Sequence, residues 1–231
     1  MPKSSVALLS AAFLLLLPGL SRADSVDFTD SFMLDQCRGF SSSGTNPFFV
    51  LQPGFHTLYQ GFEGKEAVKL TITVLRQTKT VNGIQTRVVQ EREWHDGELV
   101  EVSNNYFAIC NRTNSVFYFG EDVDIYEGGQ IVNHGGSWHA GVDGARAGVV
   151  MPGIVLLGSR YQQETADPIA MDRAEIVSMT EVVQTPAGTF TNVVKTDETT
   201  PLEPGKVESK WYANGIGLIM DDTLALVSSG Y

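Results

Sequence analysis

Residues 69–109 decide the fold class; their sequence is KLTITVLRQTKTVNGIQTRVVQEREWHDGELVEVSNNYFAI. From Leu70 to Val74, apolar and polar residues alternate, which is the two-residue period of a half-buried β-strand. Asn82-Gly83 and Asp96-Gly97 are typical of two-residue hairpin turns, in which both residues need positive φ. Because these turns leave no room for helices, the stretch predicts adjacent antiparallel strands.

The same strand pattern extends along the rest of the chain. Val116–Phe119 is apolar on both faces, so this strand is expected to lie centrally in the sheet or to line an interior. Only residues 160–173 could hold a helical turn or two. Further strands are predicted at 174–185, 189–196, 206–213 and 218–220. We therefore predict an all-β protein with little helix, an antiparallel meander curled into a barrel, half-barrel or sandwich, because a large sheet must bury one face.

The segment 134–158 is the longest stretch without a clear strand pattern, and it is rich in glycine. Loops of this length inside a compact domain are either functional or disordered. We expect this segment to act as a lid over the hollow side of the curled sheet.

Residues 1–23 have the three parts of a secretory signal peptide. Lys3 is basic, Val6 to Leu17 are mainly apolar, and Ser21-Arg22-Ala23 places small residues at the cleavage site. The apolar run is shorter than the roughly 20 residues needed to cross a bilayer. We predict a secreted or periplasmic protein with a polar N-terminal arm at 24–45, a single β-rich domain at 46–231 and no membrane span.

The net charge restricts the possible partners. The full chain carries −11, and removing Lys3 and Arg22 with the signal peptide leaves −13. Such a chain repels phosphate backbones, so no nucleic-acid partner is expected. Acidity is compatible with binding of hard cations, or simply with solubility.

The two cysteines, Cys37 and Cys110, are candidates for one disulfide. An oxidising compartment allows the bond, provided that the fold brings the two Cα atoms within bridging distance.

A divalent metal ion is a candidate cofactor. Two acids separated by one residue on a strand, such as Asp122 and Asp124, face the same side and could share a cation. A solvated acidic strand edge that prevents edge-to-edge pairing is the alternative. Two histidines near the glycine-rich segment could complete a transition-metal site, although no established zinc spacing is present. The predicted metal ligands are Glu121, Asp122, Asp124, His134, His139 and Asp143.

Five aromatic residues are candidates for ligand binding: Phe117, Phe119, Trp138, Tyr161 and Trp211. Aromatic residues ordinarily build the core. The alternative is the lining of an apolar pocket in the curled sheet.

Several motifs resemble a family of uncharacterised secreted bacterial proteins. They are Asn46-Pro47-Phe48-Phe49 with Leu51-x-Pro53-Gly54, Tyr118-Phe119-Gly120-Glu121-Asp122, Gly136-Ser137-Trp138-x-Ala140-Gly141-Val142-Asp143-Gly144-Ala145, Thr200-Pro201-Leu202-Glu203-Pro204 and Trp211-Tyr212-Ala213-x-Gly215-x-Gly217-Leu218. The turn at 185–190 also resembles one in periplasmic half-barrels of the lipoprotein-carrier type, which implies a similar curled sheet. The resemblance implies no activity, substrate or catalytic residue.

Two functions follow as expectations. The first is an exported binding module for a small or hydrophobic, lipid-like ligand. The alternative is a metal-dependent secreted hydrolase that uses the acids and histidines of 121–143. No Gly-x-Ser-x-Gly nucleophile motif is present, so whether the chain is an enzyme stays open.

Overall fold

The computed structural model describes residues 27–231. The predicted signal peptide at 1–23 and the first residues of the predicted arm lie outside this range. The described chain is nearly all β-strand and has one short 3-10 helix, Leu34–Cys37. The strands are β1 (Phe40–Ser41), β2 (Thr45–Asn46), β3 (Phe49–Val50), β4 (His56–Glu63), β5 (Glu66–Val81), β6 (Ile84–His95), β7 (Glu98–Cys110), β8 (Val116–Glu127), β9 (Gln130–Asn133), β10 (Trp138–His139), β11 (Arg146–Met151), β12 (Arg160–Gln162), β13 (Glu164–Thr165), β14 (Arg173–Thr185), β15 (Gly188–Thr199), β16 (Glu208–Ala213), β17 (Gly217–Asp221) and β18 (Leu224–Gly230).

Sixteen strands of the described chain form one antiparallel sheet that is nearly closed into a barrel, and β2 and β3 form a separate two-stranded sheet. The order of the large sheet is β12-β14-β15-β16-β17-β18-β4-β5-β6-β7-β8-β11-β13. The two ends of this order come from one short segment, residues 160–165, because β12 pairs with β14 and β13 pairs with β11. The predicted antiparallel, curled all-β fold is confirmed.

The predicted hairpin turns are present. Asn82 and Gly83 have φ of 48° and 77°, and Asp96 and Gly97 have φ of 47° and 89°. These positive values are the ones that primed two-residue turns require. The turns join β5 to β6 and β6 to β7 in register.

The glycine-rich segment 134–158 differs from the lid that the sequence predicted. It contains β10 and β11, both of which pair with β8, so much of it is barrel wall. Gly148 in β11 packs directly against the neighbouring segment, where an added Cβ would lie 2.4 Å from the Gln162 carbonyl oxygen. Glycine is needed at this position for close backbone approach. The possible helical turns at 160–173 are also absent, since this segment supplies β12 and β13.

The described part of the N-terminal arm lies against the outer face of the barrel. β1 pairs with the end of β7, and a disulfide joins Cys37 to Cys110. Phe40 of the arm makes edge contacts with Phe117 and Phe119 of β8. The arm therefore gives β8 a second buried face.

The chain after the arm closes one end of the barrel through the β2–β3 hairpin. Asn46 is buried, and its Nδ2 donates hydrogen bonds of 2.9 Å to the Asn114 and Pro152 carbonyl oxygens. Phe49 packs on Phe107 with ring centroids 5.1 Å apart. Among residues 27–231, no helix is long and apolar enough to cross a membrane.

Candidate functional site

Strand β8 separates two chemical environments. Its pairing with β7 passes from Asn105–Glu121 to Phe107–Tyr118, so β8 spends three residues where β7 spends two. This bulge turns Tyr118 and Glu121 toward the barrel interior. Phe117, Phe119, Asp122 and Asp124 lie on the outer face.

The outer face carries a closed polar cluster around Asp122. Its carboxylate lies 2.7 Å from the Lys79 ammonium and 2.9 Å from His139 Nε2, and it accepts a hydrogen bond from the Tyr106 hydroxyl. Partial burial opposes ionisation, but hydrogen bonds from Lys79 and Tyr106 hold the pKa of Asp122 below its usual value. Lys79 Nζ is also 3.2 Å from His139 Nε2, so an ammonium group stands where a metal ion would bind.

The six predicted metal ligands are not brought together. Asp124 pairs with His134 at 2.8 Å, separately from Asp122 and His139. Asp143 is exposed in a turn with φ of 49°, and Glu121 faces the interior. The predicted set is therefore divided among a paired outer cluster, a second outer pair, an exposed turn and the interior.

One different group in the described range has donor atoms close enough to share an ion: Glu63, Glu93 and His95. His95 Nε2 lies 2.6 Å from Glu93 and Nδ1 lies 3.1 Å from Glu66. Burial lowers the pKa of His95, but the hydrogen bonds with Glu93 and Glu66 outweigh it and raise the pKa overall. This group was not predicted from the sequence, because Glu63 in β4 is far along the chain from Glu93 and His95 in β6. Its existing hydrogen bonds account for it without an ion.

The five predicted ligand-binding aromatics do not surround one cavity. Phe117 and Phe119 face the arm, and Trp211 lies half-buried with Lys195 Nζ 5.2 Å from its ring centre. Trp138 makes an edge contact with Tyr118 at 5.2 Å. Tyr161 is buried and faces inward beside Glu198.

Two adjoining cavities occupy the barrel interior instead. The first has a volume of about 140 Å³ and is mainly apolar, and the second has a volume of about 270 Å³ and is polar. Residues that line the first include Phe49, Phe55, Ile72, Val89 and Leu218; residues that line the second include Glu101, Asn105, Tyr118, Glu121, Gln163, Glu164, Asp172 and Glu198. Glu91, Phe107, Val150 and Lys210 line both.

The polar cavity continues outward. A third cavity of about 340 Å³ shares Glu121, Asp172, Glu198 and Lys210 with it and extends to the segment 199–208. Leu202 in this segment is 41 % exposed. The three cavities thus describe a path from the surface to the apolar end of the interior.

Lys210 lines both interior cavities, and its ammonium group is already paired with carboxylates. Lys210 Nζ lies 3.0 Å from Glu198 and 3.8 Å from Asp221. Burial disfavours its charge, yet the two carboxylates outweigh burial and raise the pKa of Lys210 well above its usual value. Glu198 also accepts a 2.9 Å hydrogen bond from Gln163 Nε2.

Three glutamates on the adjacent strands β6, β7 and β8 are only partly compensated. Lys210 lowers the pKa of Glu91, and Tyr118 and Trp138 lower the pKa of Glu121, but burial outweighs these effects. Burial raises the pKa of Glu91 to about 7 and of Glu121 to about 8, and it also raises the pKa of Glu101. Within residues 27–231, no ion pair forms to any of the three. A buried carboxylate without a cation resists ionisation because the low-dielectric interior disfavours its charge.

Glu164 extends the acidic lining. It is 3 % exposed, and one oxygen accepts a 2.5 Å hydrogen bond from the Asp172 backbone N–H. Burial and the nearby Asp172 raise the pKa of Glu164 well above its usual value.

Several buried polar groups around these acids lack hydrogen-bond partners. They include Trp138 Nε1, Tyr161 Oη and Thr196 Oγ1. Trp138 Nε1 is close enough to lower the pKa of Glu121, although the two do not meet the geometry of a hydrogen bond. Buried polar groups normally have partners. These three residues do not line the interior cavities, and Trp138 lines a separate cavity with His139 and Asp143.

Sequence analysis missed most of the interior acids. The available signal was the alternation Val89-x-Glu91-x-Glu93 in β6, which places carboxylates on the same face as a buried valine. A charged residue on the buried face of a strand is a candidate for function, because its desolvation costs free energy. Without a structure, however, either face of β6 could have been the solvent face.

Comparison of the chain with models of known protein families, with curated proteins and with solved structures finds no match. The resemblances drawn from the sequence motifs therefore stay predictions. The fold and the site define a nearly closed antiparallel barrel with an acidic, incompletely filled interior.

Proposed function

We propose that this protein is an exported binding protein that encloses a small ligand inside its barrel. The observation that carries the proposal is the pair of adjoining interior cavities, which are walled by strands from both halves of the chain. Protein interiors are normally close-packed, so unfilled space lined by acids without an ion pair is a feature of binding sites.

The proposed location rests on two observations. The N-terminal sequence has the features of a signal peptide, and the disulfide between Cys37 and Cys110 is of the kind that persists in oxidising compartments. Both support a secreted or periplasmic protein.

The interior is a better candidate than the acids and histidines of 121–143. In that region, Asp122 and Asp124 are already paired with Lys79, His139 and His134. Inside the barrel, Glu91, Glu101 and Glu121 line the cavities and form no ion pair in the described chain, so the interior retains unused binding capacity.

The proposal is tested by filling the cavity. Val150 lines both cavities, so Val150→Phe is expected to occupy the space at their junction. Val182→Phe is the matched control, since Val182 is 66 % exposed. Each full-length variant is purified from the native host, and the small molecules released on denaturation are identified by mass spectrometry.

We expect a compound from the wild type and from Val182→Phe that is absent from Val150→Phe. Far-UV circular dichroism and the unfolding temperature check that each variant is folded, and Val150→Leu provides a milder filling variant. Identical extracts from folded wild type and Val150→Phe would contradict the proposal. So would empty extracts together with no shift in unfolding temperature on adding 2-phenylethylamine or 2-phenylethanol.

A further inference from the structure

We propose that the ligand is an organic cation, a protonated amine attached to an apolar group about the size of one six-membered ring. This inference rests on the proposed function, because it assigns a chemical class to the ligand of the same interior site.

The lining of the polar cavity is strongly acidic. The polar cavity is lined by six carboxylic acids and one base: Glu91, Glu101, Glu121, Glu164, Asp172, Glu198 and Lys210. Lys210 is committed to Glu198 and to Asp221. The remaining acids form no ion pair within 4 Å in the described chain, although Lys210 also lowers the pKa of Glu91 and of Asp172 from a greater distance. A cation from outside would stabilise their ionised forms, and an anion would be repelled.

Two buried hydroxyls lie behind the acidic lining. Tyr161 is 4 % exposed and Thr196 is 1 % exposed, and neither hydroxyl has a hydrogen-bond partner. Both lie on the inward side of the β12–β14–β15 portion of the sheet, in register with Glu198 or two residues from it, but neither lines one of the three cavities. The groups that meet a ligand in the polar cavity are therefore the acids themselves, and an ammonium group, whose N–H groups are donors only, matches their acceptor oxygens.

The spacing of the interior carboxylates favours an organic cation over a metal ion. In the described chain, only Glu63, Glu93 and His95 bring three donor atoms within 4.8 Å of one another. The interior carboxylates are more widely spread. Ca²⁺ requires six to eight oxygen ligands around one point. Dispersed carboxylates suit an ammonium group with its hydrogens pointing in several directions.

The adjoining apolar cavity limits the size of the group that carries the amine. Glu91 stands at the boundary between the two cavities, so an amine beside its carboxylate would direct the rest of the molecule toward Phe49, Phe55 and Ile72. The apolar cavity measures about 140 Å³. An apolar cavity of about 150 Å³ is large enough for benzene. This volume limits the apolar group to about one ring.

The test compares three probes that share a phenyl group and differ in charge. Isothermal titration calorimetry measures binding of 2-phenylethylamine, 2-phenylethanol and 3-phenylpropionate to the full chain at pH 7.5. We expect the amine to bind at least about 10-fold more tightly than the alcohol, because hydrogen bonds involving charged groups are stronger than neutral ones. The carboxylate is expected not to bind.

Two variants locate the amine. Glu91→Gln keeps the side-chain shape and removes the charge, and it should weaken amine binding about 10-fold or more while leaving alcohol binding nearly unchanged. Asp124→Asn is the matched control, because Asp124 lies on the outer face and pairs with His134. It should leave amine binding unchanged.

A proton readout adds a measurement that a purely structural effect would not change. Glu91 is faced by Lys210 and Asp221 and by Glu93 and Glu101, and part of its population is protonated near pH 7. Amine binding should therefore release protons, so the measured enthalpy should depend on the ionisation enthalpy of the buffer. Glu91→Gln should reduce this dependence.

The outcomes separate this inference from the proposed function. Equal binding of amine and alcohol, with both lost in folded Val150→Phe, would overturn the cation class and leave the enclosed site intact. Binding of CaCl₂ with no amine binding would also overturn the organic-cation class. Failure of every probe, together with empty native extracts, would overturn both.

Discussion

Acidic residues on the two faces of β8 lie in opposite electrostatic environments. On the outer face, Asp122 is held by Lys79, His139 and Tyr106, and its pKa lies below the usual value. On the inner face, Glu121 has no cationic partner, and its pKa is raised to about 8. These two acids are adjacent in sequence.

The difference teaches which acids are available to a ligand. The outer acid already has its counter-charges and hydrogen bonds, so it contributes to the structure of the wall. The inner acid has no cation, and Tyr118 and Trp138 compensate only part of its desolvation, which is unfavourable unless the acid is protonated or meets a cation. The density of acids along the sequence therefore does not identify the acids that are available to a ligand. Burial of an acid without an ion pair does.

The largest expected effect on the free energy of unfolding comes from removing the disulfide that holds the N-terminal arm on the outer face. The double variant Cys37→Ser, Cys110→Ser removes a cross-link between residues 73 positions apart. The chain-entropy relation gives a loss of about 4 kcal/mol in the free energy of unfolding. Urea unfolding under non-reducing conditions measures it, and wild type with its disulfide reduced is the control. A loss under about 1 kcal/mol would show that the arm is held mainly by Phe40 and its contacts.

The next largest effect is expected inside the barrel. Because the folded-state pKa of Glu121 is raised from 4.5 to about 8, the native state binds the proton more tightly than the unfolded state. Wild-type stability should therefore fall as the pH rises from about 4.5 to about 8. Glu121→Gln lacks this loss, so at pH 9 it should be more stable than wild type by about 2 kcal/mol. The pKa difference alone corresponds to about 5 kcal/mol, and solvent contact of the partly exposed side chain reduces it.

Urea unfolding at pH 4 and pH 9 measures this effect. At pH 4 the two proteins should agree within about 0.5 kcal/mol, because Glu121 is protonated in both states of the wild type. Destabilisation of Glu121→Gln at pH 9 would mean that the carboxylate has a stabilising partner and would remove the contrast between the faces.

The smallest effect, with the opposite sign, is expected on the outer face. The lowered pKa of Asp122 means that its contribution is present above pH 3.8 and is lost as the pH falls toward the folded-state value. Asp122→Asn should cost about 0.5–1 kcal/mol at pH 7, a small amount because the Asp122 side chain is 48 % exposed and solvent screens its ion pair. The difference from wild type should shrink below pH 3. Stabilisation by Asp122→Asn at pH 7 would contradict the proposed role of the cluster.

Much of the fold was predictable from local patterns. The alternation at Leu70 to Val74 and the turns at Asn82-Gly83 and Asp96-Gly97 depend on side-chain direction and on positive φ, which are properties of neighbouring residues. The segment 134–158 was not predictable in the same way. Its short strands form because β8 and the 160–165 segment lie beside them, and Gly148 shows the requirement only once Gln162 is its neighbour.

The site was less predictable than the fold. Glu121, Asp122 and Asp124 form a dense acidic run, but the bulge in β8 sends Glu121 inward while the two aspartates stay outside. Glu91 and Lys210 were not predicted as site residues, because Glu91 lies in the charged run Glu91-Arg92-Glu93 and Lys210 lies two residues from Glu208, and neither pattern is a recognised motif. They meet only because β6 and β16 lie across the interior from each other in the curled sheet.

The sequence by itself determined that the described chain is an antiparallel, curled β-sheet with tight hairpins, because those features depend on residues a few positions apart. Only the tertiary structure decided which face of each strand is interior and which charges acquire partners. The physical reason is that burial and pairing depend on the closure of the sheet and on the arm that covers its outside, and both are contacts between residues distant in the chain.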